Sequence, residues 1–444
     1  MRKMHLGVVP LGSGGYGQHR LWRDPSIPAD ASVNLEWYKK LVGMSEAAAF
    51  DFMFLADSLH VGPRSSPHSL NRFEPFTLLS ALAMHTRRIG LVATGSTSYS
   101  SPFDLARRIA SVDLLSDGRA GWNIVTTGDP ATARNFNRSS HYTPEERYAM
   151  AHEHVEVVTG LWDSYEDDAF LYEKESGVFV DPGKQHALDH HGKHFNVAGP
   201  LNIQRSRQGR PALFQAGDSA PGRDLGAAAA DAIFTNASRR PELKRFSDDV
   251  RRRAAARGRS PRDVLIFPSV RIVVGDTDAE ARELAHEYQE HDHPFEESFD
   301  EMRRWFGWYE FDPDGLDEPF PLDAVRASTH AYRSRAERVT RDAASLGLTL
   351  RQAVERQRQA QQSEFVGSPG RVADLLREWW SSGDCDGFII GADRPHNFHR
   401  IVTEVIPILQ DHGVFRRDYE ADTLRGHLGL PVAPNRRSTS TAIR

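Results

Sequence analysis

The feature that most constrains this chain is a repeat: short apolar runs, each followed by a longer segment of helical period. The runs fall at 4–10 (MHLGVVP), 50–57 (FDFMFLAD), 88–96 (RIGLVATGS), 119–127 (RAGWNIVTT), 211–217 (PALFQAG), 231–236 (DAIFTN), 264–275 (VLIFPSVRIVVG) and 385–392 (CDGFIIGA). They are β-branched and aromatic, and nearly continuous rather than alternating, which marks strands buried on both faces. Strands of that kind separated by helices make βα units around a parallel sheet. Eight such units predict an α/β chain folded as a (β/α)8 TIM barrel, a single domain over residues 1–430.

Helix starts support the segmentation. Thr143-Pro144-Glu145-Glu146 supplies an N-cap, a proline at the first helical position and a capping-box acid. Ser101-Pro102 opens another helix, which Gly118 ends. Two stretches break the repeat. Residues 164–210 are a polar, His- and Gly-rich excursion between the fourth and fifth units. Residues 294–365 carry an aromatic, acidic run and an Arg-rich helix between the seventh and eighth units, after a helix at 277–291. The tail, 431–444, is expected to be flexible.

Composition removes several function classes. A net charge of −6 gives no electrostatic footprint for nucleic acid. One cysteine, Cys385, excludes an internal disulfide and a cysteine zinc site; it opens a strand and reads as an inert buried thiol. The start MRKMHLGVVP is too short an apolar run for a signal peptide, and no stretch reaches the length of a bilayer span, so a cytoplasmic protein is expected.

Barrel sites form where strands end. Here the strand ends carry Asp57, then Thr94 and Ser96, then Asn123, Thr126 and Thr127, then Gln215 to Ser219. Any one of these fits a polar loop; together they suit a flat polar ligand. No nucleophile–base pair stands out, which favours a cofactor that carries the chemistry. Gly217-Asp218-Ser219-Ala220-Pro221-Gly222-Arg223 can hold a phosphate on a helix start, or can be an ordinary turn capped by Ser219.

Three other patterns carry less. Gly12-Ser13-Gly14-Gly15-Tyr16-Gly17 matches the dinucleotide fingerprint, but Pro25 and Pro28 stand where its helix would run, so it reads as a flexible loop over the barrel mouth. His286 and His291 are five positions apart, whereas a zincin helix needs four, and His186, His190, His191 and His194 lack a carboxylate set. No metal is assigned. Trp305, Phe306, Trp308, Tyr309 and Phe311 form either a core or a lid, with Arg303 and Arg304 beside them on a solvated face or at an anion site.

Longer motifs add a resemblance. GWNIVTT (121–127), ERYAMAHEHVEVVTGLWDSYEDDA (146–169), HHGKHFNVAGPLNIQRSRQGRPALFQAGDSAPGR (190–223), ADAIFT (230–235), FVGSPGRVADLL (365–376) and VIPILQDHGVF (405–415) lie in order along nearly the whole chain. They resemble the bacterial luciferase-like flavin monooxygenases typified by nitrilotriacetate monooxygenase component A, pristinamycin synthase component A and dibenzothiophene-sulfone monooxygenase. The resemblance implies a luciferase-like barrel that takes reduced FMN from a separate NAD(P)H:flavin oxidoreductase. With O2 as cosubstrate it would oxygenate a small sulfur-, nitrogen- or carbon-centred molecule through a flavin C4a-(hydro)peroxide. It implies a homodimer or homotetramer. It also implies that Asp57 and Thr94 lie against the flavin, that Tyr148 and Ser219, with Gly217 in the turn, meet the ribityl-phosphate end, and that Asn123 neighbours the ring. Relatives carry a histidine four positions before that tyrosine; Pro144 stands there instead. Two alternatives stay open: a deazaflavin-dependent oxidoreductase on the same fold, and a non-catalytic flavin-binding subunit.

Overall fold

The computed structural model describes residues 2–15, 18–62, 65–328, 333–360 and 362–438. Eight parallel strands close a barrel: β1 (His5–Val9), β2 (Phe52–Leu55), β3 (Gly90–Ser96), β4 (Ala120–Val125), β5 (Ala212–Ala216), β6 (Ala232–Thr235), β7 (Leu265–Val270) and β8 (Gly387–Gly391). Each strand pairs with the next in sequence, and β8 returns to β1 with His5 opposite Gly387. The outer helices are α1 (Leu35–Ala47), α2 (Pro75–Ala83), α3 (Pro102–Leu115), α4 (Pro144–Trp162), α5 (Ala220–Ala229), α6 (Arg240–Ala256) and α7 (Pro369–Ser381), followed by a helical run over 395–411. The expected TIM barrel is therefore present.

The barrel interior is an aromatic layer. Phe52, Phe214, Phe234 and Phe267 meet there, with Phe52 5.0 Å from Phe214 and 5.5 Å from Phe267 between ring centres. Below this layer the short helix Leu424–His427 plugs the N-terminal mouth. The plug bears on two strand glycines: a Cβ on Gly90 would lie 2.4 Å from a Leu424 methyl, and one on Gly121 3.1 Å from a Leu424 methyl and 2.9 Å from the Phe214 ring.

Three sequence expectations need correction. First, 264–275 is not one strand. β7 ends at Val270, and Val273–Val274 pairs with Val366–Gly367 outside the barrel. Second, the helix Asp278–Asp292 is not the seventh barrel helix. It buries only Ala281 and Asp292, whereas α7 puts Val372, Ala373, Leu376 and Trp379 into the main core. The segment 271–367 is thus one insertion that leaves β7 and returns to α7, with the two-stranded ladder joining its ends. An insertion after a barrel strand belongs to the catalytic face. Third, the tail is packed over 431–438: Ala433 and Asn435 are buried, and Asn435 Nδ2 donates to the Tyr165 carbonyl at 2.7 Å.

The aromatic run resolves as a core. Trp305, Phe306 and Phe311 join Met302, Phe320, Val339, Leu350 and Val354 in a cluster separate from the barrel's own. Trp308 is the exception and is exposed. The 164–210 excursion follows α4 and precedes β5, so it lies on the opposite, N-terminal face. There Gln208 Nε2 donates to Asp113 at 2.7 Å and Gln208 Oε1 accepts from the Arg425 backbone at 3.1 Å.

Candidate active site at the strand ends

Parallel register brings the sequence candidates together. Thr94 on β3 lies opposite Asn123 on β4, and Asn123 lies opposite Phe214 on β5. Asn123 Nδ2 donates to Thr94 Oγ1 at 2.9 Å. Asn123 is 2 % exposed, and its Oδ1 has no hydrogen-bond partner. A buried acceptor left unpaired costs about 1–3 kcal/mol, so it marks either strain or a place for a ligand donor.

The second group lies at the end of β5. Ser219 caps α5: its Oγ accepts from Gly222 N at 3.2 Å, and the Tyr148 hydroxyl on α4 lies 3.1 Å from the same Oγ. Gly217 is required by close approach, because a Cβ there would fall 2.4 Å from Gln215 Nε2 and 2.9 Å from Gly222 Cα. Gln215 lies against this turn, and its Oε1 is buried with no hydrogen-bond partner. Hydroxyls, turn amides and a helix start converge as an anion site needs.

Asp57 follows β2 and is held by Arg72 at 3.0 Å; no contact joins it to Thr94 or Asn123. Burial pushes its carboxyl above the usual carboxylate range, opposed by Arg72. Pro144 is the first residue of α4 within a complete capping box, in which Thr143 Oγ1 accepts from Glu146 N at 3.2 Å and Glu146 accepts from Thr143 N at 2.8 Å. It can offer no polar side chain to the site.

Thr127, already read at the end of the fourth strand, has neighbours of which sequence reasoning missed two, Arg147 and Tyr99. Thr127, just after β4, has a left-handed backbone (φ 43°), rare for a β-branched residue, and its Oγ1 lies 2.7 Å from Ser96 Oγ. Arg147 is buried and donates to the Thr127 carbonyl at 3.1 Å. Tyr99 pairs its hydroxyl with His141 Nδ1 at 2.6 Å, one loop away from Pro144. Arg147 and Tyr99 carry no sequence signal, because their contacts depend on how the loops after β3 and β4 fold. The glycine run near the start leads from Gly12 (φ 51°) into a 3-10 turn at Leu21–Arg23, and its Gln18 side chain reaches Asp393 at 2.8 Å; Tyr16 and Gly17 lie outside the described residues.

The histidine clusters have ordinary partners: His186 with Glu166 at 2.9 Å, His190 with Glu153 at 3.2 Å, His291 with Asp292 at 2.9 Å. Cys385 is buried ahead of β8, and burial pushes its thiol well up. Among the described residues no helix is long and apolar enough to cross a membrane.

With this geometry in view, comparison with known proteins is decisive. Residues 25–386 match the family described as luciferase-like monooxygenase. The chain belongs to that family. It is 41 % identical over 438 residues to N-acetyl-S-(2-succino)cysteine monooxygenase of Bacillus subtilis (strain 168), with 98 % of each chain covered. It is 37 % identical over 449 residues to nitrilotriacetate monooxygenase component A of Aminobacter aminovorans, again with 98 % of each covered. Among solved structures, riboflavin lyase with modified FMN and the substrate riboflavin superposes with a TM-score of 0.84 at 30 % identity, covering 97 % of both chains. This chain is accordingly a monooxygenase of the luciferase-like group, and its barrel is the one the family shares.

Proposed function

We propose that this chain is the oxygenase component of a two-component system. It binds reduced FMN delivered by a separate NAD(P)H:flavin oxidoreductase and uses O2 to oxygenate a small organic molecule at sulfur, nitrogen or carbon. The observation that carries this reading is the orphaned Asn123 Oδ1 in the barrel mouth, with the Tyr148–Ser219 hydroxyl pair at the start of α5. An isoalloxazine edge would supply an N–H for the first, and the second would hold a ribityl phosphate. The relative solved with modified FMN supports the choice of cofactor.

When bound, the reduced flavin supplies the activation of oxygen. The residues of this chain bind, orient and exclude water. Thr94 bonds one end of the Asn123 amide and leaves the other end for the ligand. Asp57, oriented by Arg72, contributes a carboxylate near the flavin. The phenylalanine layer closes the floor, and the 271–367 insertion covers the ends of β6 and β7, held there by the Arg239–Glu364 pair. Water exclusion matters because a reactive oxygenating site must not lose its equivalent to solvent before transfer. The 3-10 turn after Gly15 offers no helix for a dinucleotide pyrophosphate, in keeping with NAD(P)H use by the partner.

The test compares FMN with riboflavin. Ser219→Ala should weaken FMN binding about tenfold, roughly the free energy of one charge-assisted hydrogen bond, and leave riboflavin affinity within about twofold. Equal loss for both ligands would remove the phosphate assignment.

A further inference from the structure

Arg271 stands one residue past the end of β7, on the catalytic face. It lies on the wall between two cavities. One, of about 960 Å³, runs from Asp218 and Arg223 beside the Ser219 turn, past Thr235 and Asn236, to Arg271 and His293. The other, of about 520 Å³, extends from Arg271 and His293 toward Tyr288 and Arg394.

Three arginines near it are neutralised. Arg394 is bidentate to Asp292, at 2.8 Å for each bond, and reaches Asp24 at 3.2 Å. Arg358 meets Glu290 at 2.6 Å and Glu355 at 2.9 Å. Arg239 faces Glu364 at 3.7 Å. Arg271, like Arg245, Arg282, Arg338 and Arg371 on the same walls, has no described carboxylate within ion-pair distance. Its partner is an imidazole, and the guanidinium NH1 donates to His293 Nε2 at 2.9 Å.

That partner is built to stay uncharged. His293 is 7 % exposed, and burial, reinforced by Arg271, pushes its pKa down to about 3. It is held in place because its carbonyl accepts from Arg358 Nε at 3.0 Å and from Ser298 Oγ at 3.3 Å. The arginine's own carbonyl accepts from Ser363 Oγ. A neutral acceptor fixes the guanidinium plane and leaves its full positive charge, and most of its donor fork, facing the cavity. Such a fork matches the geometry of a carboxylate.

We propose that Arg271 is the subsite that receives a carboxylate of an anionic substrate, and that His293 is the positioning residue that aims it. This rests on the oxygenase reading above. The flavin phosphate is the other anion to consider, but its site lies at the end of β5, two strands and about 10 Å round the barrel wall. The insertion therefore does more than cover the mouth: it delivers the histidine that orients the receiving charge. Substrates in this view enter with a carboxylate on Arg271 and the oxidisable atom toward Asn123.

The probe is N-acetyl-S-(2-succino)cysteine, compared with its trimethyl ester, bound to the full chain and followed by calorimetry. Wild type should prefer the acid. Arg271→Ala should weaken the acid at least about tenfold and the ester by less than about twofold, and Arg271→Lys should recover part of the loss. His293→Gln, which keeps an acceptor, should bind the acid near wild type, and His293→Leu should not. Removing a charge far from the cavity, as in Arg107→Ala, should change neither ligand. The proposal is overturned if wild type binds acid and ester alike, or if Arg271→Ala weakens both equally while remaining folded. It is also overturned if Arg271→Ala weakens FMN relative to riboflavin, which would assign Arg271 to the phosphate. Failure of wild type to bind reduced FMN, measured separately, would instead remove the oxygenase reading.

Discussion

The two faces of the barrel handle buried polar groups in opposite ways. On the N-terminal face the buried carboxylates of Asp51 and Asp231 each find a counter-charge and a backbone partner. Asp51 is fully buried and meets His5 Nδ1 at 2.9 Å, Arg416 at 2.9 Å and the Leu6 amide at 2.7 Å. Asp231 meets Arg425 and accepts from the Leu213 amide. On the catalytic face Asn123 keeps an unpaired oxygen and Thr127 holds a left-handed backbone. The contrast teaches that buried charge alone does not mark a site. Unfinished pairing at strand ends does, and complete pairing beneath the strands marks the scaffold that tolerates it.

Breaking the scaffold should have the largest effect. Arg416→Ala leaves Asp51 buried with its main counter-charge gone, and such losses cost about 3–5 kcal/mol. Chemical denaturation should register that loss while reduced-FMN affinity in the folded fraction stays at the wild-type value. The Asp51 direction agrees: burial would push its carboxyl up, but Arg416 and His5 outweigh it and hold it below the usual range.

Acid should come next. Burial pushes His68, His154 and His427 down to about 4 and His293 down to about 3. Below about pH 6.5 the unfolded chain takes up protons that the folded chain refuses, so stability falls as pH falls toward 4, by up to about 1.4 kcal/mol per pH unit for each histidine. Asp113, pushed up to about 6 by burial, acts in the opposite sense, since its contribution is lost as pH rises through that value. Thermal melts between pH 7 and 4.5 should show a net loss on acidification; a flat profile would mean these histidines are not buried neutral.

On the catalytic face the pattern should reverse. Asn123→Leu removes the orphaned acceptor, so stability should hold or rise while reduced-FMN affinity falls about tenfold, or roughly 1.4 kcal/mol. If stability fell and affinity held, Asn123 would belong with the scaffold. The smallest effect is expected from Thr127→Gly, which relieves the left-handed backbone and should raise stability by about 1 kcal/mol, at the expense of the hydroxyl contact to Ser96.

Much of the scaffold was legible in the sequence, because burial on both faces forces apolar runs and leaves no alternative pattern. The failures were local. Val273 and Val274 extend an apolar run that has already left the barrel, and periodicity cannot tell one sheet from another. The helix Asp278–Asp292 has a good cap at Thr277 but only one apolar residue in its buried set, a distinction invisible without contacts. The tail is polar yet docks, since Ala433 fills the space left at Gly209 and Asn435 finds a carbonyl. At the site, Thr94, Asn123, Gly217 and Ser219 were legible as polar residues ending apolar runs, and Tyr148 only through the family resemblance. Arg271 and His293 were not, because the insertion, not spacing, brings them together.

In the proposed function, reduced FMN completes the unfinished catalytic face. Anaerobic titration of the protein with reduced FMN, followed by rapid mixing with oxygenated buffer and recording of the flavin spectrum, tests it directly. The account predicts saturable binding and a transient species distinct from both reduced and fully oxidised flavin. No binding, or immediate oxidation at the rate of free reduced FMN, would contradict it.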